Sequence, residues 1–147
     1  MKADGSPSAS MDAPAVGGRL RPRVLVADDD GDMLRLIERA LRRRGLQVDL
    51  APGGRQALHR LARAGQAPPD LLVSDVQMPD VGGVDLLAWL RNQGLHVPVI
   101  LVTAYPHDEL AERAERLGAF EVLPKPFLMD RLYQLVTQAL EERRAAP

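Results

Sequence analysis

Two carboxylate features stand out for the chemistry their spacing could support. The stretch VLVADDDGD, residues 24–32, sets Asp28, Asp29, Asp30 and Asp32 within five positions directly after an apolar run. Far downstream, LLVSDV (71–76) embeds Asp75 alone in an otherwise apolar segment. Like charges this close repel, so the crowding calls for a bound cation, a phosphatase nucleophile, a calcium loop or an ordinary solvated turn. A buried carboxylate such as Asp75 is costly without a cation or donors beside it. The calcium loop fails: counted from Asp28, position six is Met33 rather than glycine and position twelve is Arg39 rather than glutamate. Carboxylates converging on one pocket favour a divalent ion between them. Oxygen-only ligands favour magnesium, which keeps waters and accepts phosphate oxygens into its shell. With the compact charge of Lys125 and the hydroxyl of Thr103, such a set suits phosphoryl transfer onto a carboxylate.

These residues are far apart in the chain, so regular elements must bring them together. Short apolar runs occur at 23–28, 47–50, 71–75, 98–103 and 120–123. The stronger ones are continuously apolar rather than alternating, as parallel strands covered on both faces should be. Between them lie residues at helical spacing: Leu34, Ile37, Leu41; then Ala57, Leu58, Leu61; Leu86, Leu87, Leu90; and Leu110, Ala114, Leu117. A last helix should present Leu128, Leu132, Leu135, Val136, Ala139 and Leu140 on one face. Gly45, Gly65, Gly94 and Gly118 each follow one of the first four helices, where a left-handed residue ends the helix well. Five strand–helix units in succession predict an α/β fold with an open, doubly wound parallel sheet. Functional groups in such sheets gather at the carboxyl ends of the strands. Asp28 and Asp29 end the first strand, Asp75 the third and Thr103 the fourth, while Lys125 follows the fifth.

The bulk composition narrows the field. The 147 residues carry a net charge of −1, which gives no sign of a nucleic-acid or anionic-membrane binder. The lack of cysteine excludes disulfides, thiolate metal sites and cysteine nucleophiles, and fits a reducing cytoplasm. His59, His96 and His107 have no tight ligand spacing, and no apolar run is long enough to span a membrane. Residues 1–22, rich in Ala, Ser, Gly and Pro, read as a disordered tail rather than a signal peptide. Residues 23–141 form the single domain and 142–147 a charged tail. Asp30 and Asp32 read as solvated, with Asp30 or a neighbour capping the first helix. Arg42, Arg43 and Arg44 read as an exposed last turn complementing the helix dipole, and Trp89 as a packing residue.

VLVADDD, LLVSDVQMPDVGG, VILVTAY and LPKPF match, in order and spacing, the receiver domains of two-component response regulators. The chain resembles that family over about residues 23–141. The resemblance implies a flavodoxin-like (βα)5 fold with strand order 2-1-3-4-5. It makes Asp75 the acceptor of a phosphoryl group from a kinase phosphohistidine. Asp29 would bind magnesium (manganese as the alternative ion) directly, with Asp28 acting largely through metal-bound water and the Gln77 carbonyl completing the protein ligands. Lys125 would pair with Asp75 or the phosphoryl oxygens, and Thr103 would bond the attached phosphoryl group. Ala104 would leave room for it, and the Gln77 and Tyr105 side chains would tune its lifetime. The Lys125–Pro126 bond is often cis in this family.

The implied partners are a histidine kinase or histidine phosphotransfer protein and a downstream protein target. Contact with a second copy after phosphorylation is a further form of output. With no DNA-binding region after the fifth helix, the expectation is a stand-alone cytoplasmic receiver, touching neither nucleic acid nor membrane. It would be a phosphoacceptor switch, promoting only its own phosphorylation and dephosphorylation. Two positions depart from the family pattern. Val122 stands where an aromatic residue is usual on the fifth strand, and Gly82 where an aspartate commonly precedes Gly83. The competing reading is a haloacid-dehalogenase-like phosphatase, with Asp28 as nucleophile and Asp30 as acid/base. It lacks paired acidic ligands after Lys125 and leaves Asp75 unexplained.

Overall fold

The structure, a computed structural model, describes residues 21–145. The expected disordered tail at 1–22 therefore lies outside the described residues except for its last two. Strands and helices alternate as β1 (Arg23–Ala27), α1 (Gly31–Arg42), β2 (Gln47–Ala51), α2 (Gly54–Leu61), β3 (Leu71–Asp75), α3 (Gly83–Asn92), β4 (Val99–Thr103), α4 (Asp108–Arg116), β5 (Glu121–Pro124) and α5 (Met129–Ala145). The strands form one parallel sheet in the order β2-β1-β3-β4-β5. This is the doubly wound α/β, flavodoxin-like arrangement with order 2-1-3-4-5.

Side-chain alternation sorts the core into two layers, because successive residues of a strand face opposite sides of the sheet. Val24, Val26, Val73, Ile100 and Val102 pack with Leu34, Ile37 and Leu41 of α1 and Leu132, Leu135 and Val136 of α5. Leu25, Leu72, Val99 and Leu101 pack on the other face with α2, α3 and α4 through Ala57, Leu87 and Leu110 among others. Every residue of β3 and β4 is buried, which is why their sequences are apolar except at the carboxyl ends, where Ser74, Asp75 and Thr103 stand. Trp89 is half-buried against the second layer, a packing residue.

The helix ends are set locally. Asp30 caps α1, its carboxylate accepting from the amides of Asp32 and Met33 at 3.0 and 3.4 Å. His107 caps α4 through Nδ1, which accepts from the Leu110 amide. Gly45, Gly65, Gly94 and Gly118 all have φ between 74° and 87°, the left-handed conformation that ends a helix without a Cβ clash. At the α4 exit, Arg91 reaches across from α3. Its guanidinium donates to the carbonyl oxygens of Leu95, Val97, Leu117 and Gly118, joining two loops at the amino end of the sheet. Burial pulls its pKa below the usual arginine value.

One local reading needs correction. Leu128 does not join the buried face of α5: it precedes the helix, is 76% exposed, and contributes its carbonyl to the first turn. A residue at a cap has non-helical backbone, so its side chain leaves the helical stripe. α5 runs on through Ala145, with Arg143 donating to the Pro69 carbonyl. The arginines at the end of α1 are exposed, as expected, and also reach neighbouring elements. Arg42 bonds Glu38 and the Val48 carbonyl, while Arg44 lies over the Tyr133 ring at 4.2 Å and pairs with Asp130. Long side chains at a helix end reach neighbouring elements that spacing alone does not reveal.

Candidate functional site

The carboxyl ends of β1 and β3 lie side by side, since Val26 pairs with Val73 and Ala27 with Ser74. The residues just beyond, Asp28 and Asp75, are 2% and 7% exposed, whereas Asp29 is exposed. Carboxylate oxygens of Asp28, Asp29 and Asp75 all lie within 4.8 Å of one another. Lys125, entering from the loop after β5, places Nζ 3.2 Å from Asp75 Oδ2 and 3.5 Å from Asp28 Oδ2. Backbone amides hold the other oxygens: Asp30 N donates to Asp28 Oδ1 at 2.8 Å, and Gln77 N to Asp75 Oδ1 at 3.1 Å. The two buried carboxylates are therefore fixed from both sides.

Electrostatics follow from burial. Desolvation raises the Asp28 carboxyl above its usual 3.8, and the nearby Asp75 charge adds to the rise. The Asp30 amide and Lys125 oppose it without cancelling it. Burial pulls the Lys125 ammonium down, but its hydrogen bond to Asp75 and the charges of Asp28 and Asp75 outweigh this, and its pKa ends raised. Three carboxylates face one ammonium, so the pocket keeps an excess of negative charge. Hard oxygen donors with unbalanced charge fit a small divalent cation.

Thr103 ends β4, next to Asp75 across the β3–β4 pairing, and is fully buried. Its Oγ1 accepts from the Tyr105 amide at 3.0 Å, which leaves the hydroxyl hydrogen for another acceptor. Ala104 and Gln77 are exposed, and the Tyr105 side chain is 65% exposed at the lip. The Lys125–Pro126 peptide bond is cis. Val122 is half-buried against the second core layer. Gly82 donates its amide to the Asp85 carboxylate, and a Cβ there would sit 2.3 Å from the Val76 carbonyl oxygen, so the backbone as it stands has no room for an aspartate.

Two supports of the site are not legible as such in the sequence. The Ser74 hydroxyl donates to the Asp75 carbonyl at 3.0 Å, yet in LLVSD it is indistinguishable from any small strand residue. Gly83 packs so closely under β3 that a Cβ would sit 2.6 Å from the Asp75 carbonyl oxygen. Only a residue without a side chain allows that approach. Asp30 lies outside the carboxylate cluster, exposed and occupied in capping α1. It cannot serve as acid/base beside Asp28, and the phosphatase alternative finds no support.

Comparison with known proteins agrees with this geometry. The response regulator receiver domain family matches residues 24–137, and the chain belongs to it. It is thus a receiver domain of two-component signal transduction. Regulatory protein AtoC of Escherichia coli is 37% identical over 119 residues, which cover 81% of this chain and 25% of AtoC. The DNA-binding transcriptional regulator NtrC of the same organism is 38% identical over 117 residues, 80% of this chain and 24% of NtrC. The chain spans about a quarter of the length of these curated relatives. Among solved structures, the receiver domain of Francisella response regulator 1452 superposes with a TM-score of 0.76 at 31% identity, covering 83% of this chain and 98% of that one. Chemotaxis protein CheY4 of Vibrio cholerae gives 0.73 at 27% identity, covering 81% and 98%.

Proposed function

We propose that Asp75 accepts a phosphoryl group from the phosphohistidine of a histidine kinase or phosphotransfer protein, in a magnesium-dependent transfer. The observation that carries this reading is the joint placement of Asp28, Asp29 and Asp75 within 4.8 Å, with Lys125 bonded to Asp75 at 3.2 Å. An Asp75 carboxylate oxygen forms a bond to phosphorus as the phosphorus–nitrogen bond to the donor breaks, and the imidazole leaves. Asp28, Asp29, Asp75 and the Gln77 carbonyl would hold the metal, with manganese as a substitute. When bound, the ion supplies neutralising charge between the carboxylate and the phosphoryl oxygens.

The chain's own residues do the rest. Lys125 balances the charge that develops on the phosphoryl oxygens. Thr103 donates its hydroxyl to the group once attached, while the Tyr105 amide keeps its oxygen in place. Ala104 offers no bulk against the incoming group, and the Gln77 and Tyr105 side chains at the lip govern access of water and hence the lifetime of the acyl phosphate. The carboxylate is consumed in each event, so the domain acts as a switch. Loss of the phosphoryl group is its only turnover. Its output is contact with a downstream protein target, a second phosphorylated copy being one form. Among the described residues no helix is long and apolar enough to cross a membrane. A cytoplasmic setting, where such kinases present their phosphohistidine, accords with a chain free of cysteine.

The test is intact-mass analysis after incubation with acetyl phosphate and magnesium. The wild type should gain one phosphoryl adduct, absent with chelator and absent in Asp75→Asn. An adduct that survives Asp75→Asn would overturn the assignment.

A further inference from the structure

Away from the carboxylate pocket, α2 differs from the other helices in charge. Each of the other four carries acidic and basic residues together, whereas residues 51–69 hold Arg55, Arg60 and Arg63 and neither Asp nor Glu. β2 is an edge of the sheet, with a strand neighbour on one side only. Along that edge, β2 and α2 enclose a groove of about 450 Å³. Its apolar lining is half-buried Leu50 and exposed Pro52, and Arg55, His59, Arg60 and Arg63 line it beside them. Arg55 is engaged by Asp80 at 3.5 Å. Arg60 and Arg63 are exposed and have no ion-pair partner among the described residues.

We propose that this groove docks an acidic segment of a protein partner, an apolar side chain resting on Leu50 and Pro52 and carboxylates pairing with Arg60 and Arg63. An apolar centre rimmed by charge of one sign is the usual anatomy of a small protein contact, where the floor supplies desolvated area and the rim selects the partner. A nucleic-acid duplex fits less well. Its phosphates gain nothing from Leu50 and Pro52, and the two uncommitted arginines fall far short of the roughly 6–10 phosphate contacts of a tight duplex binder. A membrane surface would have to enter a concave groove, where a flat or convex apolar face is wanted. The proposal is independent of the phosphoacceptor reading: Asp75→Asn should leave it untouched.

The experiment uses the full chain and a fluorescein-labelled peptide of repeating Leu-Glu-Glu units, followed by fluorescence anisotropy. Saturable binding should weaken with added salt and drop by more than about tenfold in the double variant Arg60→Glu/Arg63→Glu, since each substitution sets like charge against the peptide. Arg43→Glu, which changes an exposed arginine at the end of α1, should bind as the wild type does. Circular dichroism should show both variants folded, since the substituted positions are exposed. Amide shifts on adding the peptide should cluster at Leu50, Gln56 and Arg60. Absent binding, binding unaffected by the double variant, or binding by duplex DNA or phosphatidylserine vesicles but not the peptide would overturn the proposal.

Discussion

At the scale of single residues, the four acids of the DDDGD stretch have three different fates. Asp28 is buried and fixed by the Asp30 amide and Lys125; Asp29 turns to the open side of the same pocket. Asp30 and Asp32 face solvent, Asp30 capping α1 and Asp32 pairing with Arg35 at 2.8 Å. Asp30→Ala should therefore lower stability by about 1 kcal/mol, read from the denaturant midpoint, while the phosphoryl adduct still forms. Asp28 carries a cost rather than a gain in the ion-free protein, because burial raises its carboxyl above 3.8. A raised carboxyl pKa means that stability is lost as pH rises through the folded-state value. Asp28→Asn removes that loss. With chelator present, its melting midpoint should match the wild type at the acid end and exceed it at neutral pH. Equal midpoints at neutral pH would show that Lys125 fully offsets the buried charge.

At the scale of elements, the strands are legible because a buried parallel strand must be apolar on both faces. The runs at 71–75 and 98–103 accordingly fall on β3 and β4 within one residue. The helix ends are legible where a glycine must adopt positive φ. Leu128 is misread because helical spacing continues through a cap position that the backbone does not. The Arg91 contacts are invisible in sequence, since they join loops brought together by the β4–β5 neighbourhood. Arg91→Lys cannot reach four carbonyls with one ammonium and should cost about 2–3 kcal/mol of unfolding free energy in urea titration. β5 carries the other element-scale expectation. Val122 has no ring to rotate and is already half-buried, so a phosphoryl mimic such as beryllofluoride should produce only small amide shifts on β5. Larger shifts should appear in the loop holding Thr103 and Tyr105. A large rearrangement of β5 would sink this expectation.

For the molecule as a whole, the sheet holds repelling charges at one end and a neutral core beneath them. β1, β3 and β4, buried on both faces, fix their carboxyl ends too firmly for the pocket to relax by spreading. Magnesium should stabilise the fold, by about 2.7 kcal/mol at a concentration a hundredfold above its Kd. The rise in melting midpoint should shrink in Asp75→Asn. No rise in the wild type would remove the case for a metal.

By itself the sequence determined the five alternating units, the sheet edge that carries the site, and the short set of polar residues that could act there. Apolar periodicity and strand-end position are local properties, readable before any folding. The sequence already divided the clustered carboxylates between pocket, helix cap and solvent; only the tertiary structure decided how closely the pocket members lie and which donors fix them. It also supplied Ser74 and Gly83 beneath Asp75 and a one-signed groove along the β2 edge. The reason is geometric. Adjacent side chains diverge according to where a strand stops and a helix begins, and contacts between distant loops exist only once the sheet has set their order.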